Sequence, residues 1–123
     1  PINEDGSLKP ASSFIQHTGS SINPERQEGP HAHSINIDPN NNFALVPDLG
    51  LDKILIFKIN FEKGALETNS FPYGTVEPGS GPRHLDFHPT GKFVYVLNEI
   101  SATITAFSYD QNTAEMKEIE TET

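Results

Sequence analysis

Seven polar residues in this chain have types and spacing that could do chemistry together: His31, His33, Asp48, Arg83, His84, Asn98 and Glu99. His and Glu move protons near neutral pH. Arg binds a carboxylate or phosphate through paired hydrogen bonds, or holds a developing oxyanion. Such a set suits acid–base chemistry on an anionic substrate. A plainer reading stands beside each residue. Arg83 with Glu99 also reads as a salt bridge tying two strands. His31-Ala32-His33 also reads as a metal-ligating pair, although no third ligand follows at a set spacing. His84 could bond to backbone, and Asp48 and Asn98 could shape turns. Asp52 and Lys53 read as a solvated turn, and His88, beside Pro89, as a hairpin residue away from the others.

The elements that must position these residues are short strands in a repeat. Asp38-Pro39 lies over His88-Pro89 at an offset of 50, which also aligns Phe43 with Phe93, Val46 with Val96, Asp48 with Asn98, and Ile54 and Phe57 with Ile104 and Phe107. The first copy predicts strands at His33–Asp38, Phe43–Val46, Ile54–Ile59 and Leu66–Phe71. The second predicts Arg83–His88, Phe93–Asn98, Thr103–Tyr109 and Met116–Thr121. Alternating apolar residues bounded by Gly, Pro and Asn are the signal for strands and hairpins, and no amphipathic helix of ten residues or more competes. Four strands per repeat of about 40–50 residues is the blade of a β-propeller. A small sandwich with two similar halves is the alternative. The all-β organisation expected is residues 1–28 as the end of a preceding blade and a linker, with Gly6-Ser7-Leu8 as a last strand. One blade follows over 29–80 and the next over 81–123. The chain opens on Pro1, not Met, and two blades cannot close a ring of about 4–8. We therefore expect a piece of a longer protein whose open inter-blade faces promote self-association.

In a four-stranded meander, the start of strand one and the end of strand two share one end of the blade. Gly91 lies midway between Arg83 and Glu99, so these two should face each other to within a residue, with Cβ atoms about 4.5–5.5 Å apart. The same reasoning puts Asp48 near Ser34, with His31 and His33 just before it. All seven residues then gather at one mouth of the channel that inner strands line.

Composition narrows the function classes. The formal charge of −9 and the isoelectric point near 4.8 argue against nucleic acid as a partner, since phosphate backbones select Lys and Arg. No apolar run approaches the ~18 residues of a membrane span, and no leader pattern is visible. The absence of cysteine excludes disulfides, thiol catalysis and cysteine metal sites, and suits the cytoplasm.

Several motifs carry a family resemblance. Pro30-His31-Ala32-His33-Ser34, Val46-Pro47-Asp48-Leu49-Gly50-Leu51-Asp52-Lys53, Gly79-Ser80-Gly81-Pro82-Arg83-His84-Leu85, Phe87-His88-Pro89 and Tyr95-Val96-Leu97-Asn98-Glu99 resemble, in order and with matching gaps, the seven-bladed propeller lactonases. That family includes bacterial 6-phosphogluconolactonases and fungal 3-carboxy-cis,cis-muconate lactonizing enzymes. The resemblance runs from about Asp5 to Tyr109. It implies a seven-bladed all-β fold with no metal or other cofactor, and an active site of His33 (or His31), Arg83 and Glu99, with a further arginine in a later blade. It implies lactone ring opening by water, with His33 or Glu99 as base or acid and Arg83 holding the substrate anion or oxyanion. His31, Asp48, His84 and Asn98 would orient the substrate. A small anionic lactone is the expected partner, and 6-phosphogluconolactone the expected substrate. A carboxymuconate cycloisomerase and a non-catalytic binding propeller are the alternatives. A sugar-phosphate site should also show a second basic group at the channel, and the sequence offers few beyond Arg83.

Overall fold

The computed structural model describes all residues from Pro1 to Thr123. It contains eight strands and no helix. They are β1 (Asn36–Ile37), β2 (Phe43–Asp48), β3 (Lys53–Asn60), β4 (Ala65–Thr75), β5 (Pro82–Phe87), β6 (Phe93–Asn98), β7 (Thr103–Tyr109) and β8 (Met116–Glu122). They form two antiparallel four-stranded meanders, β1-β2-β3-β4 and β5-β6-β7-β8. No helix is present that could be long and apolar enough to cross a membrane. Residues 1–9 make a small hairpin instead of a single strand at Gly6-Ser7-Leu8: Ile2 bridges Leu8, and Lys9 N donates to the Pro1 carbonyl.

The strands of the second sheet match the sequence pattern to within a residue at each end. The first sheet departs at β1, which is expected over His33–Asp38 and is paired only over Asn36–Ile37. Pro47 explains the gap. His33 N donates to the Pro47 carbonyl, but Pro47 has no N–H to return, so the ladder is interrupted there. Pairing resumes at an isolated bridge, Ala32 with Asp48. β4 runs longer than expected because a bulge between Leu55 and Phe57 lets it bend and continue to Thr75.

The two sheets pack face to face. Phe43, Leu45, Ile54 and Ile56 of the first meet Leu85, Val94, Val96 and Phe107 of the second in one buried cluster. Strand periodicity decides which residues take part, because side chains two apart share a face. On β6, Val94, Val96 and Asn98 are buried, while Phe93, Tyr95 and Leu97 point the other way and are exposed. All six residues of β2 are buried. One of its faces meets the second sheet, and segment 14–18 lies over the other, where His17 stacks on Phe57.

Candidate functional site

Two loops and two strand ends build the mouth. The loop before β5 passes through Gly81 at φ +66, where an added Cβ would lie 2.7 Å from Ile100, so glycine suits this turn both in backbone angle and in space. Gly81 O accepts from Glu99 N at 2.8 Å, which closes the end of the β5–β6 hairpin. Pro82 pairs with Asn98 and His84 with Leu97, so Arg83 is an extra residue in a bulge. The register thus differs from the simple hairpin by one position, because a bulge places two residues opposite one. Arg83 Nη1 still reaches Glu99 Oε2 in a salt bridge.

Glu99 has a second guanidinium. Arg26 Nη2 donates to Glu99 Oε1 at 2.5 Å, from 73 residues away. No signal at Arg26 pointed to this site, since it lies in a polar loop outside the repeat. A compact turn positions it. Asn23 Oδ1 accepts from the backbone N–H of Glu25 at 3.0 Å and of Arg26 at 3.1 Å. The fully buried Gln27 donates through Nε2 to the Leu49 carbonyl at 2.9 Å, pinning the turn to the end of β2. Hydrogen bonds from Arg26 first and Arg83 second hold the Glu99 carboxylate down at about 2. Glu99 is therefore a persistent anion and a poor proton carrier near neutrality.

His33 joins the group from the first sheet. Ser34 Oγ donates to the Arg83 carbonyl at 2.9 Å, linking the segment before β1 to β5. Desolvation among its neighbours, and then the positive charge of Arg83, hold the His33 imidazole below its ordinary value; Glu99 opposes this without reversing it. A neutral imidazole near pH 7 is able to accept a proton. His31 and His84 lie near enough to His33 to act on it as well. His84 is exposed, while the His31 ring bonds Glu28 Oε1 at 2.9 Å through Nε2. No three His, Asp or Glu side chains are grouped so as to hold a metal ion.

Two expected substrate contacts are placed otherwise. Asp48 is fully buried. Its Oδ1 accepts from His31 N at 2.8 Å and Gly50 N at 3.1 Å, and its Oδ2 bonds His17 Nδ1 at 2.7 Å. It pairs across the sheet with Ala32 and not Ser34: the β1–β2 register, Asn36 with Leu45, already runs one residue off the simple hairpin, and the break at Pro47 adds another. Asn98 is also fully buried and donates to Thr103 Oγ1 at 3.0 Å and Thr105 Oγ1 at 2.9 Å. Both shape the rim from inside and offer a ligand no exposed atom.

Asp52 corrects another expectation. It is 4% exposed, not solvated. Its Oδ1 accepts from Gly81 N at 2.8 Å, and its Oδ2 from Gly79 N at 2.7 Å and from Ser21 Oγ. One carboxylate thus ties together the loops that carry Arg26 and Arg83. A cavity of about 620 Å³ lies at the other end of the sheets, among Asn42, Lys58, Phe61, Glu67 and Thr113. The site is an open half-mouth and not that cavity.

The family model described as Lactonase, 7-bladed beta-propeller matches residues 1–123. A 6-phosphogluconolactonase of Bacillus subtilis is 40% identical over 121 residues, covering 98% of this chain and 33% of the relative. A 6-phosphogluconolactonase of Formosa agariphila is 36% identical over 108 residues, covering 87% of this chain and 31% of the relative. A solved structure described as a periplasmic gluconolactonase of Pseudomonas aeruginosa superposes with a TM-score of 0.92 at 31% identity, covering 99% of this chain and 34% of that one. The chain spans about a third of the length of the curated relatives it matches.

Proposed function

Because this chain belongs to the seven-bladed β-propeller lactonase family, we propose that the protein carrying these two blades hydrolyses a lactone, with 6-phosphogluconolactone as substrate. The observation that carries this reading is the Arg83–Glu99 pair with the depressed His33 imidazole beside it. His33 takes a proton from water as the water oxygen bonds to the lactone carbonyl carbon. Arg83 holds the negative charge that develops on the carbonyl oxygen. The ring C–O bond then breaks, the ring oxygen takes the proton from the His33 imidazolium, and the hydroxy acid so formed gives its carboxyl proton to solvent water and leaves as its carboxylate.

Glu99 orients the guanidiniums and stays ionised throughout. His31 and His84 flank the substrate on the rim. The buried Asp48 and Asn98 hold the strand ends that present these side chains. A charged sugar phosphate stays in the compartment that makes it, so the phosphorylated substrate puts the reaction in the cytoplasm, a setting that a chain without cysteine suits.

The test is hydrolysis of 6-phosphogluconolactone by the whole protein, measured against the spontaneous rate, with Arg83→Ala and His33→Ala alongside. Acceleration that both substitutions remove supports the reading. An unchanged kcat/KM in Arg83→Ala overturns the role given to that residue. No acceleration by the folded protein overturns the substrate.

A further inference from the structure

Both arginines of the chain grip one carboxylate, and only Arg83 has a task in the reaction above. We infer that Arg26 is a specificity residue that binds the phosphate of a phosphorylated lactone, while Arg83 serves the reacting carbonyl. The inference rests on the lactonase reading of this mouth and deepens it.

The first argument is the way Arg26 is held. Its side chain is 49% exposed, yet the turn beneath it is pinned by a fully buried glutamine and capped by an asparagine. A surface ion pair contributes little to stability and needs no such support. A guanidinium that must meet a ligand in one orientation does, because ordering it beforehand removes the entropic cost at binding.

The second argument is donor arithmetic. A guanidinium has five N–H donors. Arg26 spends a bond from Nη2 on Glu99, and its Nε and Nη1 make no other hydrogen bond in the chain. Arg83 likewise spends Nη1 on the same carboxylate. Glu99 therefore spaces two partly free guanidiniums and neutralises only one of their two charges. Glu28, whose carboxyl is lowered in part by the charge of Arg26, faces the same group, so the mouth offers an anion the free donors of two guanidiniums and not an excess of positive charge.

The third argument is the substrate's shape. A phosphorylated lactone makes two separate demands: a donor for the oxyanion at one end and cations for a phosphate dianion at the other. Two arginines on opposite oxygens of one carboxylate meet them. A lactone without phosphate makes only the first demand. Arg26 also supplies the second basic group that the sequence motifs alone did not offer.

The experiment compares 6-phosphogluconolactone with glucono-δ-lactone as substrates of the whole protein, in the parent, Arg26→Gln and Arg26→Lys. In Arg26→Gln, kcat/KM for the phosphorylated lactone should fall about 10–100-fold, mostly through KM, as expected for a lost charge-assisted contact. The unphosphorylated lactone should change by less than about threefold, and Arg26→Lys should recover part of the loss. Equal losses on both substrates would mean that Arg26 acts only through Glu99, and would overturn the inference. So would no loss on either.

Calorimetry with 6-phosphogluconate and gluconate separates this question from turnover. If the whole protein hydrolyses neither lactone, the lactonase reading fails. Weaker 6-phosphogluconate binding in Arg26→Gln would still support the anion site in that case. Binding that Arg26→Gln leaves unchanged, or no binding at all, overturns it.

Discussion

The two sheets are copies of one backbone carrying different side chains at the mouth. The bridge between Ala32 and Asp48 recurs fifty residues later as the pair Pro82 and Asn98. Left-handed residues recur at the same offset: Asn41 and Gly91, Asp52 and Ala102, Gly64 and Ala114. His33 and Arg83 therefore occupy one structural position in two blades, as do Leu49 and Glu99. At the mouth the copies have diverged. His33 offers a neutral base where Arg83 offers a cation, and Leu49 is buried where Glu99 binds two arginines. Side chains at strand ends carry little of the inter-sheet packing, so they are free to differ while the backbone repeats.

The faces tell the opposite story, because there the chemistry is conserved between copies and the surroundings differ. Phe43, Leu45 and Ile54 are at most 5% exposed beneath the second sheet. Their counterparts Phe93, Tyr95 and Ile104 are 37–50% exposed. The same apolar surface is covered in one copy and open in the other. A contiguous open apolar face of this kind marks a surface that is built to be covered.

The largest effect that would break the comparison of mouths is on catalysis. Arg83→Ala in the whole protein should lower kcat/KM about 10²–10³-fold, the loss typical of removing one oxyanion donor. The pH profile sharpens the point. Activity should fall on the acid side as His33 takes up a proton, with a midpoint below the ordinary ~6.5. The direction follows from the two largest causes at His33, desolvation and Arg83. Arg83→Gln removes one cause, so the acid limb of kcat/KM should move to higher pH in the residual activity. A limb that stays in place would mean that His33 is not the base.

The comparison of faces predicts an asymmetry in stability. Leu45→Ala should destabilise this chain by about 2–5 kcal/mol, as large-to-small changes in packed cores do. Tyr95→Ala, at the equivalent place on the open face, should cost less than about 1 kcal/mol. Urea unfolding of the two variants reads the difference, and equal costs would mean that the open face is covered in solution. Self-association would cover it. Sedimentation at rising concentration should then show dimers that Tyr95→Lys dissolves.

The buried pair Asp48 and Asn98 gives a smaller contrast. Asp48 meets two backbone N–H groups and a histidine, whereas Asn98 faces two hydroxyls that accept from its Nδ2, and its Oδ1 meets no donor. Asn98→Asp would bury a carboxyl group with few donors, and its folded pKa should rise above the unfolded value. The cost, about 1–3 kcal/mol at pH 7, should then shrink as pH falls towards ~4, where the unfolded group protonates.

These contrasts also explain what was legible in the sequence. Strand periodicity located β6 and β7 to the residue, because each has one buried and one open face. The paired regions of β1 were misjudged because Pro47 acts on its neighbour strand, and a pattern within one strand cannot reveal that. Arg83 and Glu99 were legible because they lie on adjacent strands of one hairpin. Arg26 was not, because its place depends on a turn pinned through buried Gln27 to β2. Asp52 reads as solvated because Asp-Lys after Gly-Leu is ordinary turn composition. Its burial comes from the entry loop of the second blade folding over it.

Asp52 and Ala102 give the finest test, since they share a left-handed conformation, with φ of +53 and +54, and differ in what they do there. Asp tolerates that region better than Ala, whose Cβ is crowded by the following carbonyl. Asp52 also uses its side chain to hold Gly79, Gly81 and Ser21. Ala102 is exposed and contributes no side-chain bond. Ala102→Gly relieves the crowding but gives the unfolded chain more freedom, two terms of opposite sign and similar size. The net should be a gain of about 0.5 kcal/mol or less. Asp52→Gly relieves nothing comparable and leaves buried N–H groups without an acceptor, so it should lose about 1–3 kcal/mol. Thermal unfolding should therefore move in opposite directions for the same substitution product at equivalent positions. If both variants lost stability alike, the left-handed turn itself, and not the carboxylate within it, would be what joins the blades.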